Sequence, residues 1–249
     1  MRGPRSGHEL LPVIDDLDQV VEVHEILVPI SAAVGRLDDA RRFAAEGERV
    51  ASRLSTHHQM HGVAFLLEAE ELAGGWNAVA ALVDRAREVA LANLETPCGR
   101  NSRSLFVCAV GAQLAGDDET AAELERLAVE LKLSGNQWSL EGPRIRLALA
   151  RGALEQIGDI APISSGHHLS FGLASLAARL DGLAALRDRE RIEAEAPVLA
   201  ESGLYLEPFA LRALGVARED EELLRRAHER FEAMGLSWHA AQTASLAPQ

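Results

Sequence analysis

Three stretches of this chain align without a gap, each opening on a glycine: GRLDDARRFAAEGERV from Gly35, GGWNAVAALVDRAREV from Gly74 and GDDETAAELERLAVEL from Gly116. Counting forward from the glycine, position +5 holds Ala40, Val79 and Ala121, and position +8 holds Phe43, Leu82 and Leu124. Position +12 holds Gly47, Ala86 and Ala128, and +15 holds Val50, Val89 and Leu131. Offsets of 5, 8, 12 and 15 trace one stripe along a helix. Such a stripe cannot be covered by its own hairpin, so each copy needs a neighbour stacked on it.

The glycine is placed to adopt positive φ and end the first helix of a hairpin. An acidic or amide residue just after it can cap the second helix or favour its N-terminal dipole. Small residues at +5 and +12 let the helices approach, and the larger one at +8 fills the space between layers. Weaker copies open at Gly152, with Ile157 and Ile160 at +5 and +8, and at Gly215, with Leu223 and Ala227 at +8 and +12. Pro162 cuts the first of these short, and Asp220 breaks the second at +5. The glycines recur at 35, 74, 116 and 152, intervals somewhat longer than the period of about 34 in tetratricopeptide repeats.

The apolar periodicity predicts helices over 15–34, 38–54, 57–73, 77–94, 99–115, 118–133, 143–151, 153–161, 168–184, 187–200, 206–217, 219–234 and 237–246. Short breaks between them favour antiparallel hairpins. The expected fold is all-α: a right-handed superhelix of about six hairpins, a tetratricopeptide-like α-solenoid over 15–249. Residues 1–14 read as a loose Gly/Pro-containing tail, and an irregular break falls near 162–168, at PISSGHH. Hydrophobic residues make up 47% of the chain and aromatics only 4%, which favours helix over strand.

Charge narrows the function. The net charge is −13, no basic stripe interrupts it, and Lys132 is the only lysine, so no direct nucleic-acid partner is expected. The N-terminal MRGPRSGHELLPVIDDLD lacks the apolar run of a secretory signal, and no window approaches the ~20 apolar residues of a membrane helix. A cytoplasmic protein without a membrane partner is expected. Cys98 and Cys108 are ten residues apart across one predicted helix, roughly 15 Å along its axis, too far for a disulfide.

The stretches LAGDDETAAELERLAVEL and EPFALRALGVAREDEELLRRAHERFEAMGLSWHAAQT resemble the C-terminal tetratricopeptide-like region of large bacterial signalling proteins. These are ATPase regulators of the LuxR/MalT type and nucleotide cyclases with an AAA-type ATPase core. The resemblance runs from about Asp15 to the end. It implies a sensor or docking arm of a signalling or transcription regulator, with a signalling ATPase or cyclase as a possible partner. It carries over no ligand motif, and the chain has no G-x-x-x-x-G-K-[ST] phosphate loop.

Three groups of residues carry chemistry worth testing. His57, His58 and His61 form HHQMH, and His57 and His61 share a helix face at a zinc-chelating spacing. The metalloprotease template needs Glu after its first His, and His58 stands there instead. A third ligand would have to come from Glu68, Glu70 or Glu71, two turns away or more. Cys98 precedes a predicted helix with Arg100 and Arg103 close behind, the setting of many reactive thiols, but no histidine lies near it in sequence. Asn101, Arg103, Arg144, Arg146 and Arg212 sit near the starts or middles of first helices, which line the concave groove of a hairpin stack. Arginines there can grip carboxylates in bidentate fashion. Trp76, Trp138, Tyr205, Phe209 and Trp238 are possible anchors but read chiefly as packing.

The expectation is a non-catalytic protein-interaction module with no cofactor and no metal. Its partner-binding residues are Asn101, Arg103, Arg144, Arg146, Arg212, His58 and His61. The alternative is a small-molecule sensor that holds an effector in the groove.

Overall fold

The computed structural model describes residues 14–131, 138–157, 169–201 and 203–246, and every extended regular element among them is an α-helix. We number these α1 (Leu17–Ala33), α2 (Leu37–Ala51), α3 (Thr56–Ala73), α4 (Trp76–Ala81), α5 (Val83–Ala92), α6 (Gly99–Leu114) and α7 (Asp118–Glu130). They continue with α8 (Trp138–Arg151), α9 (Leu169–Leu186), α10 (Arg189–Ala200), α11 (Glu207–Arg218), α12 (Glu221–Ala233) and α13 (Ser237–Ala244). None of the described helices is long and apolar enough to cross a membrane.

Three boundaries differ from the sequence reading. The helix expected over 77–94 breaks at Leu82 into α4 and α5. The helix expected over 153–161 is only a 3-10 turn, Leu154–Gln156, within the described residues, and the break at 162–168 lies outside them. Helix α8 starts five residues before the expected Pro143, because Gly142 rests on the backbone of Ser175 in α9: a Cβ there would come within 2.8 Å of the Ser175 Cα. That tertiary contact overrides the usual preference of proline for a helix start.

One turn recurs along the chain. Gly35, Gly74, Gly116 and Gly152 have φ of 78°, 68°, 81° and 66°. At each, the next residue's N–H reaches back five positions, as in Arg36 to Ser31 O (2.8 Å) and Asp117 to Ala112 O (3.0 Å). This is the Schellman arrangement that closes a helix end. The same pair of bonds forms at Arg187 and Glu219, whose φ of 52° and 54° are unusual for residues with a Cβ and cost about 1–2 kcal/mol each. An aspartate follows Gly116, Arg187 and Glu219 in each case, and its carboxylate caps the next helix: Asp117 accepts from Thr120 N, Asp188 from Arg191 N and Asp220 from Leu223 N.

The copy expected from Gly215 is therefore out of register. Glu219 is the turn residue, and counting from it puts the buried Leu224, Ala227 and Phe231 at +5, +8 and +12. Gly215 lies inside α11, where its missing Cβ admits the Leu224 side chain of α12. The small residue expected at Gly47 is confirmed by its surroundings, since a Cβ there would meet His24 at 2.7 Å.

Consecutive helices pack on one another, but contact does not stop at neighbours. Helix α9 packs against α1 and α3 as well as against α8, α10 and α11. Tyr205, just before α11, donates its N–H to Ala33 O (3.0 Å) and its hydroxyl to Leu72 O (2.7 Å). Trp238 of α13 meets Trp76 edge to face, with ring centroids 5.8 Å apart. The late helices thus seal onto the turns that end α1 and α3. One apolar core joins α1–α3 to α8–α13, and a second fills the space among α3–α8.

Candidate functional site

Five helices and the Trp76 side chain surround a cavity of about 480 Å³. Its walls come from α4 (Trp76), α6 (Val110, Leu114), α8 (Arg146, Leu149), α9 (Asp181, Ala184), α11 (Arg212, Val216) and α13 (Trp238, Gln242). The polar element is compact: the Arg146 and Arg212 guanidiniums both pair with the Asp181 carboxylate. Arg212 also donates to Thr243 Oγ1 (3.1 Å) and His239 O (3.2 Å) and lies over the Phe231 ring at 4.7 Å. Burial holds Arg212 below the usual arginine range and His239 well below the usual imidazole range, with Arg146 and Arg212 adding to the His239 effect. Asp181 is the only acidic residue among the described residues lining the cavity.

A second polar nest fills the seam between α1, α3 and α6. Arg103 pairs with Glu71 at 2.6 Å, both side chains under 5% exposed. Arg100 lies 2.6 Å from Glu25, and both arginines cover the Phe171 ring, at 4.8 and 4.6 Å. Glu68 is buried between them. Burial pushes its carboxyl up to about 8, although Arg100 and Arg103 pull the other way. Burial would raise Glu25 as well, but His61 and Arg100 outweigh it and bring it down to about 2.

At the open edge of that seam, His61 reaches Cys98. Its Nε2 lies 3.7 Å from Cys98 Sγ, and its Nδ1 faces Glu25 at 3.7 Å. The His57 and His61 rings are 4.5 Å apart, and His57, His61 and Cys98 can place one ligand atom each within 4.8 Å of the others. Burial lowers His61, more than Glu25 raises it. Cys98 is positioned by Asn101, whose Oδ1 accepts the Cys98 N–H (3.1 Å) while its Nδ2 donates to Ala90 O (2.8 Å).

The expected groove residues separate accordingly. Arg146 and Arg212 come together on the cavity. Arg103 is locked on Glu71, and Asn101 is fully buried in hydrogen bonds that tie α5 to α6, so neither is available to a partner. Arg144 is exposed and does not line the cavity. His58 is engaged by Ser55 Oγ (2.8 Å) and Asp18 (3.5 Å), and His61 belongs to the cysteine cluster. The acids considered as a third ligand are committed elsewhere: Glu70 to Arg41, Glu71 to Arg103, and Glu68 to the buried seam. Trp76 and Trp238 line the cavity; Tyr205 and Phe209 are core; the Trp138 side chain lies outside the described residues.

Sequence reasoning missed Asp181 and the Cys98 contact. A charged residue inside the apolar run LAARLDGLAAL was a usable signal for the first. Nothing local signals the second, since His61 and Cys98 are 37 residues apart. No known protein family, curated protein or solved structure matches the chain.

Proposed function

We propose that this chain is a non-enzymatic receptor module that takes a small organic anion with an apolar body into its central cavity. The observation that carries this is two buried guanidiniums sharing one carboxylate on the wall of a ligand-sized, mainly apolar space that Arg187, Gln242 and Ser245 also line. Arginine stays protonated at neutral pH, so the cavity holds more positive than negative charge, and a carboxylate or phosphate would complete it. The two tryptophans and Leu114, Leu149 and Val216 suit an aromatic or branched aliphatic body. This favours the sensor over the docking arm that the sequence placed first.

The recurring left-handed turn supports reading the architecture as six hairpins and a closing helix, a tetratricopeptide-like superhelix whose curvature encloses the ligand. Occupancy would then set the shape presented to a partner, as suits the regulatory arm of a bacterial signalling protein working in the cytoplasm. A second reading, docking of a protein without any small effector, rests on α1 and its C-terminal cap, where Ile26, Ile30 and Val34 are exposed at four-residue spacing (53%, 42% and 54%).

A thermal-shift and calorimetric screen of aromatic and aliphatic carboxylates and phosphates tests the receptor. A saturable ligand that raises Tm, and loses its effect in Trp238→Ala and Arg146→Gln, supports it. If no anion shifts Tm while Ile30→Glu abolishes capture of a protein partner, docking alone stands.

A further inference from the structure

We propose that His57, His61 and Cys98 form a binding site for a zinc-class divalent metal ion. The donor set is two imidazoles and a thiolate, the borderline-soft combination that suits zinc and cobalt(II) and not magnesium or calcium. At bond lengths of ~2.1 Å to nitrogen and ~2.3 Å to sulfur, tetrahedral ligands stand roughly 3.5 Å apart. The His61 Nε2 to Cys98 Sγ distance is 3.7 Å, and all three donor atoms lie within 4.8 Å of one another.

Both imidazoles are oriented for the task. His57 donates from Nδ1 to Thr96 O (3.0 Å), and His61 turns Nδ1 toward the Glu25 carboxylate (3.7 Å). In each ring one nitrogen has a backbone or carboxylate partner, and in His61 the other, Nε2, is the one that faces Cys98 Sγ. That second layer is a recurring companion of metal-bound histidine. Thr96 is in turn fixed by its hydroxyl on Asn93 Oδ1 (2.7 Å), and Asn93 by Asn101, the residue that also holds the Cys98 backbone. Arg100, whose charge acts on His61, is matched by Glu25. The site is half-buried, so a water can fill the fourth position. Binding would release the Cys98 thiol proton to solvent and clip the start of α3 to the segment leading into α6.

The test is titration of the reduced, chelator-treated full chain with zinc alone, and with cobalt(II) alone as a spectroscopic probe. The expected result is one ion per chain, a thiolate-to-cobalt charge-transfer band, proton release on binding and a higher Tm with zinc. Cys98→Ser should lose the band and weaken zinc binding by more than ~100-fold, beyond the 10–100-fold typical of losing an outer partner. His58→Gln, which changes the adjacent imidazole and leaves the three donors, should bind like the parent and serves as the folded control. Absence of the charge-transfer band in the parent chain overturns the proposal. So does one-to-one zinc binding that survives in Cys98→Ser.

Discussion

The cavity triad and the α3/α6 seam solve the same electrostatic problem in opposite ways. Both bury guanidiniums among aromatic rings. The seam sets three carboxyls, Glu25, Glu68 and Glu71, against Arg100 and Arg103, and disposes of the extra acid by keeping Glu68 protonated. The cavity sets Arg146 and Arg212 against Asp181 alone. A carboxyl can shed its charge by taking a proton, but an arginine has no such escape at neutral pH. An acid excess can therefore be held in the seam with no ion from outside, whereas a guanidinium excess needs an opening through which solvent or a ligand supplies the anion.

The largest effect that distinguishes the two is expected at Asp181. Asp181→Asn leaves two buried cations facing each other and should cost about 3–5 kcal/mol in urea unfolding. A cavity-binding anion should restore part of that loss, and failure to do so would detach the triad from ligand binding. Glu71→Gln should cost less, about 1–2 kcal/mol, because Glu68 can ionise and take over Arg103. Equal losses at Asp181 and Glu71 would break the comparison.

Glu68 gives the next test. Folded, it keeps its proton up to about 8, while an unfolded glutamate releases it near 4.5. Its favourable contribution is complete below 4.5 and fades as pH rises toward 8, with a slope of up to about 1.4 kcal/mol per pH unit. Glu68→Gln should remove that slope, measured as stability against pH across this window. The smallest effect belongs to the exposed arginine on α12: Arg225→Ala, which removes ion pairs with Glu222 and Glu229 on the surface, should leave the unfolding midpoint unchanged.

Most helices were legible in the sequence because their signals are local. The stripes after Gly35, Gly74 and Gly116 mark both the turn and the buried face. The reading slipped where another residue does the work of glycine: at Arg187 and Glu219 the left-handed position keeps its side chain, and Gly215, only four residues earlier, drew the register to itself. The acid after each turn, Asp188 and Asp220, was the better marker. The site was less legible. Arg146 and Arg212 were identified as groove residues, but that they share Asp181, and that Arg103 and Asn101 are consumed internally, depends on which helix faces which. His61 and Cys98 meet only through the packing of α3 on α6, which no spacing encodes.

The contact of Tyr205 with Leu72, 133 positions apart in the chain, bears on how the molecule is made. In a linear array each unit can form as it leaves the ribosome, and unfolding can begin at either end and spread. Here the contacts that Tyr205 and Trp238 make with Ala33, Leu72 and Trp76 cannot form until α11–α13 have been synthesised. Such long loops slow folding relative to an open stack of equal length and bind the two ends into a single unfolding event.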